Sequence, residues 1–189
     1  MGTRARLRGP PVAAALVAAL VPIGVGALGA LAGCVDTTHD IEVQALGGEA
    51  AGVAPGPDHR PGQPCLVCHG GEGPASSHFS VAGTVYAVEK ESAPAVGAQV
   101  QVEDITGVAF PSPTNGAGNF YISAQDWQPT YPIQMQVSLG PANKQMLTHV
   151  GREGSCATCH TSSPGPASPG PIYVAADMSE LLGDGGTGP

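Results

Sequence analysis

Val96-Gly97-Ala98-Gln99-Val100-Gln101-Val102 alternates apolar side chains with Gly and Gln. A period of two puts the four apolar residues on one face, the pattern of a half-buried strand. The same alternation returns in Ile133-Gln134-Met135-Gln136-Val137-Ser138-Leu139, and Val81 to Val88 is a longer β-branched run. Between these stretches Asp104 to Gly107 reads as a turn and Val108 to Phe110 as a short strand. Asn115-Gly116 and Gly118-Asn119 mark a further turn ahead of Phe120-Tyr121-Ile122. No long 3.6-residue periodicity interrupts this middle region, so the expectation is a mainly β fold, a small antiparallel Greek-key-like sandwich over residues 80–150. Ile172-Tyr173-Val174 is expected to close a sheet. Asp177 to Gly183 carries an N-cap, an acid three residues later and a terminal Gly, which predicts a short C-terminal helix within residues 172–189.

Composition agrees with a small loop-rich domain. The 28 Gly and 19 Pro demand many turns, while 4% aromatic and 12% charged residues leave no material for a large aromatic core or a coiled coil. Three of the seven basic residues, Arg4, Arg6 and Arg8, lie at the N-terminal end. Beyond them four basic side chains face fifteen acidic ones, a net charge of −11. No basic patch remains to hold a phosphate backbone, so nucleic acid is excluded as a partner.

The basic end is followed by an uncharged run from Val12 to Leu31, a basic n-region and an apolar h-region. Pro22 and several glycines make this a poor transmembrane span. Leu31-Ala32-Gly33-Cys34 resembles the lipobox of bacterial lipoproteins. The resemblance implies that residues 1–33 are a signal peptide, that Cys34 is the lipidated new N-terminus, and that residues 34–64, rich in Gly, Ala and Pro, are a flexible tether. The chain is thus expected to be exported and membrane-anchored in a bacterial envelope, on the periplasmic side or the cell surface. Gly24-Val25-Gly26-Ala27-Leu28-Gly29 matches a dinucleotide-binding fingerprint, but it lies inside the export segment with no βαβ context and is discarded.

Four cysteines remain, in two pairs of identical spacing. Each pair is followed at once by histidine: Cys65-Leu66-Val67-Cys68-His69, within a first segment 65–79, and Cys156-Ala157-Thr158-Cys159-His160, within a loop 151–171. This is the attachment motif of c-type haem, twice. Two thiols separated by two residues can reach the two vinyl groups of one porphyrin, and the adjoining His supplies the proximal nitrogen. A four-cysteine zinc site or a pair of disulfides would give no reason for His after both pairs. The two segments resemble c-type cytochromes, which implies two covalently attached haem c groups, proximal ligands His69 and His160, and electron transfer.

The sixth position on each iron calls for His or Met. His78 and His149 are the expected distal ligands because each adjoins a predicted strand that would hold it. His59, in a Pro-rich stretch, and Met146 are the alternatives; Met135, alternating within a strand, is expected to pack the core.

Ala82-Gly83-Thr84-Val85, Val96-Gly97-Ala98-Gln99-Val100 and Thr114-Asn115-Gly116-Ala117-Gly118-Asn119-Phe120 resemble the carboxypeptidase regulatory-like domain, which has a transthyretin-like β-sandwich. That resemblance implies a scaffold without catalytic residues and an aromatic, Phe120, entering the core. The chain departs from the usual form by carrying a haem-bearing loop on each side of the sandwich, which would then serve as a spacer. The function expected is that of a lipid-anchored dihaem electron carrier, not an enzyme, whose acidic surface suits redox partners with a basic docking patch. The alternatives are a small dihaem enzyme of peroxidase type with one open iron position, and a non-haem binding lipoprotein with a zinc site or disulfides.

Overall fold

The longest β-branched run becomes the longest strand, β1, Phe79–Val88, and the other elements assemble around it. The computed structural model describes residues 37–49 and 54–183; the expected signal peptide 1–33 and Cys34 lie outside the described residues. Contacts divide the chain into two units after Thr38.

After β1 come β2 (Gln99–Asp104), β3 (Ala109–Pro113), β4 (Asn119–Ser123), β5 (Ile133–Leu139), β6 (Ala142–Gln145) and β7 (Ile172–Ala175). They form two sheets, one of order β4-β1-β7 and one of order β3-β2-β5-β6. The second sheet is antiparallel throughout. In the first, β4 runs antiparallel to β1 while β7 runs parallel to it. The parallel pair departs from an all-antiparallel expectation. A strand that arrives through a long connection is free to pair in that sense. Both sheets contribute to one core: Val81, Val85 and Val88 of β1, Phe120 and Ile122 of β4, and Val174 of β7 join Val100, Val102, Ile133 and Val137. Phe120 is buried there, as its position after the Gly118-Asn119 turn requires.

The alternation in β2 is realised from Ala98 onward, with Val100 and Val102 buried and Gln99 and Gln101 exposed. Val96 differs: it is exposed, because Gly97 turns the chain at φ +75° and the strand begins only at Gln99. Asp104 holds the following turn by accepting from Thr106 N (2.9 Å) and Val108 N (3.2 Å), and from Thr130 N (3.0 Å) across the sheet end. Its carboxyl is lowered from the ordinary value by these bonds, that from the Thr106 hydroxyl foremost.

β1 behaves differently from β2. Residues Val81 through Val85 are all buried, so both faces of this strand are covered. One face meets the second sheet. The other face carries Ala82 and Thr84, the latter bonded to Gly62 ahead of the first cysteine segment, while the second segment pairs along the edge of β1 at Ala82 and sets Cys156 beside Gly83.

The stretch expected as a tether contains structure. Helix α1 spans Thr37–Ala45. Arg60 then donates to Glu49 Oε1 (2.9 Å), Gly47 O (2.7 Å) and Gln63 Oε1 (2.9 Å), fastening the segment after α1 to the turn before Cys65. At the other end of the chain, helix α3 is Met178–Leu182, with Asp177 accepting from Ser179 N and Glu180 N and with Gly183 in the left-handed conformation. α2, between α1 and β1, is the four-residue turn Leu66–His69. No helix among the described residues is long and apolar enough to cross a membrane.

Candidate functional site

The two cysteine motifs adopt the same backbone. In the first, α2 follows Cys65, with His69 N–H donating to Cys65 O at 2.8 Å and Cys68 N–H to the same oxygen at 3.2 Å. In the second, a 3-10 turn spans Cys156–Thr158, with His160 N–H donating to Cys156 O at 2.8 Å and Cys159 N–H at 3.2 Å. Five residues coiled through one helical turn bring the first and fourth side chains to the same side and leave the fifth beside them. All four thiols are free.

The histidines match as well. His69 Nδ1 lies 2.8 Å from Ser77 O, and His160 Nδ1 lies 2.8 Å from Gly170 O. A carbonyl only accepts, so in each ring Nδ1 is the nitrogen placed to donate, and at His69 the Ser77 hydroxyl also lies 3.0 Å from it. A carbonyl placed at Nδ1 fixes the orientation of an imidazole and suits one that binds a metal through its other nitrogen. The first ring is further held by stacking: Phe79 lies 4.4 Å from His69 at 15°, and Tyr121 lies 4.6 Å from Phe79 at 17°.

Both turns rest on β1. Ala82 pairs with Ser155 in a parallel bridge, and Ala82 N–H donates to Gly154 O at 2.9 Å. Gly83 is required at this contact, since a Cβ there would stand 2.8 Å from Cys156 Cβ and 3.0 Å from Phe120 Cε1. The first turn is approached through a buried polar chain. Gly62 N–H donates to Thr84 Oγ1 (2.8 Å), Thr84 donates to Asn119 Oδ1 (2.7 Å), and Asn119 Nδ2 donates to His59 O (2.9 Å). Thr84 and Asn119 face each other across β1 and β4, so each buried polar group is satisfied by register. The motifs flank the sandwich along the chain, but in space they share one strand. The sandwich is therefore a common platform for them and not a spacer between them.

Their walls differ. Beside Cys156, Cys159 and His160 opens a cleft of about 530 Å³, bounded by Ile133, Met135, Met146, Leu147, Val150 and Ile172 among others. This is a volume in the range of cofactor sites, and its walls are chiefly apolar. Cys156 faces Met135, Sγ to Sδ 3.8 Å. Burial pushes its thiol up to about 12, with the nearby Cys65 thiol adding to the effect. Burial likewise pushes Cys65 up to about 11. At neutral pH both sulfurs are therefore neutral thiols. Among the described residues no three His, Cys, Asp or Glu side chains converge as an ordinary metal site.

The distal candidates separate. His59 lies against His69, ring centres 5.8 Å apart at 65°. His78 is exposed, and its carbonyl accepts from Ala124 N–H. His149 is exposed between Thr148 and Val150, which line the cleft while it does not; Val150 bridges to Ile133. Met146 lines the cleft, and Met135 packs against both the core and Cys156. Sequence reasoning missed the carbonyls of Ser77 and Gly170, because any residue supplies a carbonyl and only the course of the loop selects it. Gly83 stood in a quoted strand pattern, where an isolated Gly already signals close backbone approach.

In comparisons with known proteins the chain matches no family model, no curated protein and no solved structure.

Proposed function

We propose that the chain is a dihaem c-type cytochrome that carries electrons, exported and anchored to a bacterial envelope through a lipid on Cys34. The observation that carries this reading is the duplicate geometry: two Cys-x-x-Cys-His turns with the same hydrogen bonds, each with its imidazole Nδ1 tied to a carbonyl at 2.8 Å. Neither a pair of disulfides nor a four-cysteine zinc site calls for the histidine that follows each pair, and both histidines are held alike.

The residues present fit the group. Cys65 and Cys68 would hold one haem and Cys156 and Cys159 the other, with His69 and His160 offering Nε2 to the irons. Gly83 leaves room for the second turn to lie flat on β1, and the apolar cleft beside that turn suits a porphyrin face. When bound, the two groups would supply reversible one-electron chemistry. The protein's own part is to fix the imidazoles and hold both sites on one strand. The transthyretin-like sandwich would be the rigid platform for this.

Net acidity beyond the leader favours a redox partner with a basic docking patch, with association rates that fall as salt rises. A reductive titration of the purified holoprotein tests the reading against the enzyme alternative. Two electrons per chain are expected, with no carbon monoxide binding to the reduced form and no peroxide turnover. Rapid peroxide turnover with carbon monoxide bound at one iron would instead favour the peroxidase-type enzyme.

A further inference from the structure

We infer that the two irons are held unequally, with His59 completing the site at His69 and Met146 completing the site at His160, so that the second centre has the higher potential. This rests on the dihaem reading and adds to it a direction of electron flow.

The rings of His59 and His69 lie 5.8 Å apart at 65°, near enough for one metal to take both as ligands. His59 is held for such a role. Its carbonyl accepts from Asn119 Nδ2 at 2.9 Å, and its neighbour Arg60 is tied to Glu49. Glu49 Oε1 stands 3.3 Å from His59 Nδ1, within ion-pair range. Nδ1 makes no hydrogen bond there, so the proximity of the carboxylate positions the ring without engaging either nitrogen.

The site at His160 has no equivalent imidazole. The only histidine lining its cleft is His160 itself, and thioethers take the place of a second. Met146 is fixed on both sides of its backbone: its N–H donates to Met135 O at 2.9 Å, and its carbonyl accepts from Gln134 Nε2 at 3.0 Å. Met135 is already engaged with Cys156 and the core, which leaves Met146 to turn toward the cleft. A thioether is a soft ligand, and a His/Met pair raises the potential relative to two histidines. Electrons would then pass from the centre at His69 to the centre at His160.

The test uses holoprotein whose denatured mass carries two haems. Its oxidised near-infrared spectrum is expected to contain both a bis-imidazole band and a methionine-to-iron charge-transfer band, and its redox titration two resolved waves. Met146→His is expected to abolish the methionine band and bring the upper wave down to the lower, with far-ultraviolet dichroism unchanged; Met135→Leu is expected to keep both features. His59→Met is expected to add a second methionine band and raise the lower wave. Two bis-imidazole centres in the unsubstituted protein, or a methionine band lost in Met135→Leu and kept in Met146→His, would overturn the assignment with the dihaem reading intact. A mass without two haems would overturn the dihaem reading itself.

Discussion

The turns at Cys65–His69 and Cys156–His160 share their backbone hydrogen bonds and the Nδ1 contact of their histidines, yet they occupy different surroundings. The first stands on a docked loop, with His59 and Phe79 against its histidine. The second opens on an apolar cleft with two methionines in its walls. Five residues specify how a haem would be attached; the neighbours determine what kind of centre it would become. A chain with two copies of one motif can thus hold two different sites on a single strand.

The largest effect should come from the support that both turns share. Phe120 fills the core beneath Gly83, and Phe120→Ala is expected to cost about 3–5 kcal/mol in urea unfolding and to loosen both motifs together. Loosening of one alone would mean that β1 is not a common platform.

The thiols allow a sharper comparison. An unfolded thiol ionises near its ordinary value of 9.0, whereas folding raises Cys65 to about 11 and Cys156 to about 12. Below pH 9 both states keep their protons and stability is fully present. Above it the unfolded chain releases protons first, so stability falls with rising pH until the folded thiols ionise too. The haem-free protein should therefore lose at most about 1.4 kcal/mol per pH unit for each thiol above pH 9. In Cys65→Ser the decline should persist through the Cys156 window, about one unit further than in Cys156→Ser. Thioethers cannot ionise, so the loaded protein should lack this part of the slope.

Two further substitutions separate the motifs. Gly83→Ala places a methyl against Cys156 and Phe120, and should cost about 1–3 kcal/mol while reducing haem at the second site more than at the first. Thr84→Val removes the hydroxyl between Gly62 N–H and Asn119. A loss of about 1–2 kcal/mol is expected, read by urea unfolding, with the disturbance confined to the first site. The reverse pattern in this pair would contradict the placement of the two turns.

β2 and β1 show how much of this was legible. β2 has one face in water, so its alternation could be read directly, apart from Val96 beyond the turn at Gly97. β1 is buried on both faces, and its continuous apolar run said only that something covers it. That the cover comes from the loop before Cys65 on one face and from Cys156 beside the core on the other depends on contacts far apart in sequence, such as Thr84 with Gly62 and Gly83 with Cys156. β6, Ala142–Gln145, follows no pattern and is held by pairing with β5 across Gly140 at φ +57°.

The two Cys-x-x-Cys-His turns were legible because their residues are contiguous, so one helical turn places all five side chains. Distal neighbours carry no such constraint. His59 looked like part of a linker among Pro57, Pro61 and Pro64, but Asn115 and Asn119 bind the carbonyls around it and bring it to His69.

The intact mass of the exported protein under denaturing conditions tests the central claim most directly. The account predicts the polypeptide plus two haems, falling to one haem when Cys65 and Cys68 are both changed to Ser and to the other one when Cys156 and Cys159 are. A mass with no haem on the unsubstituted chain, produced in a host able to attach haem c, would contradict it.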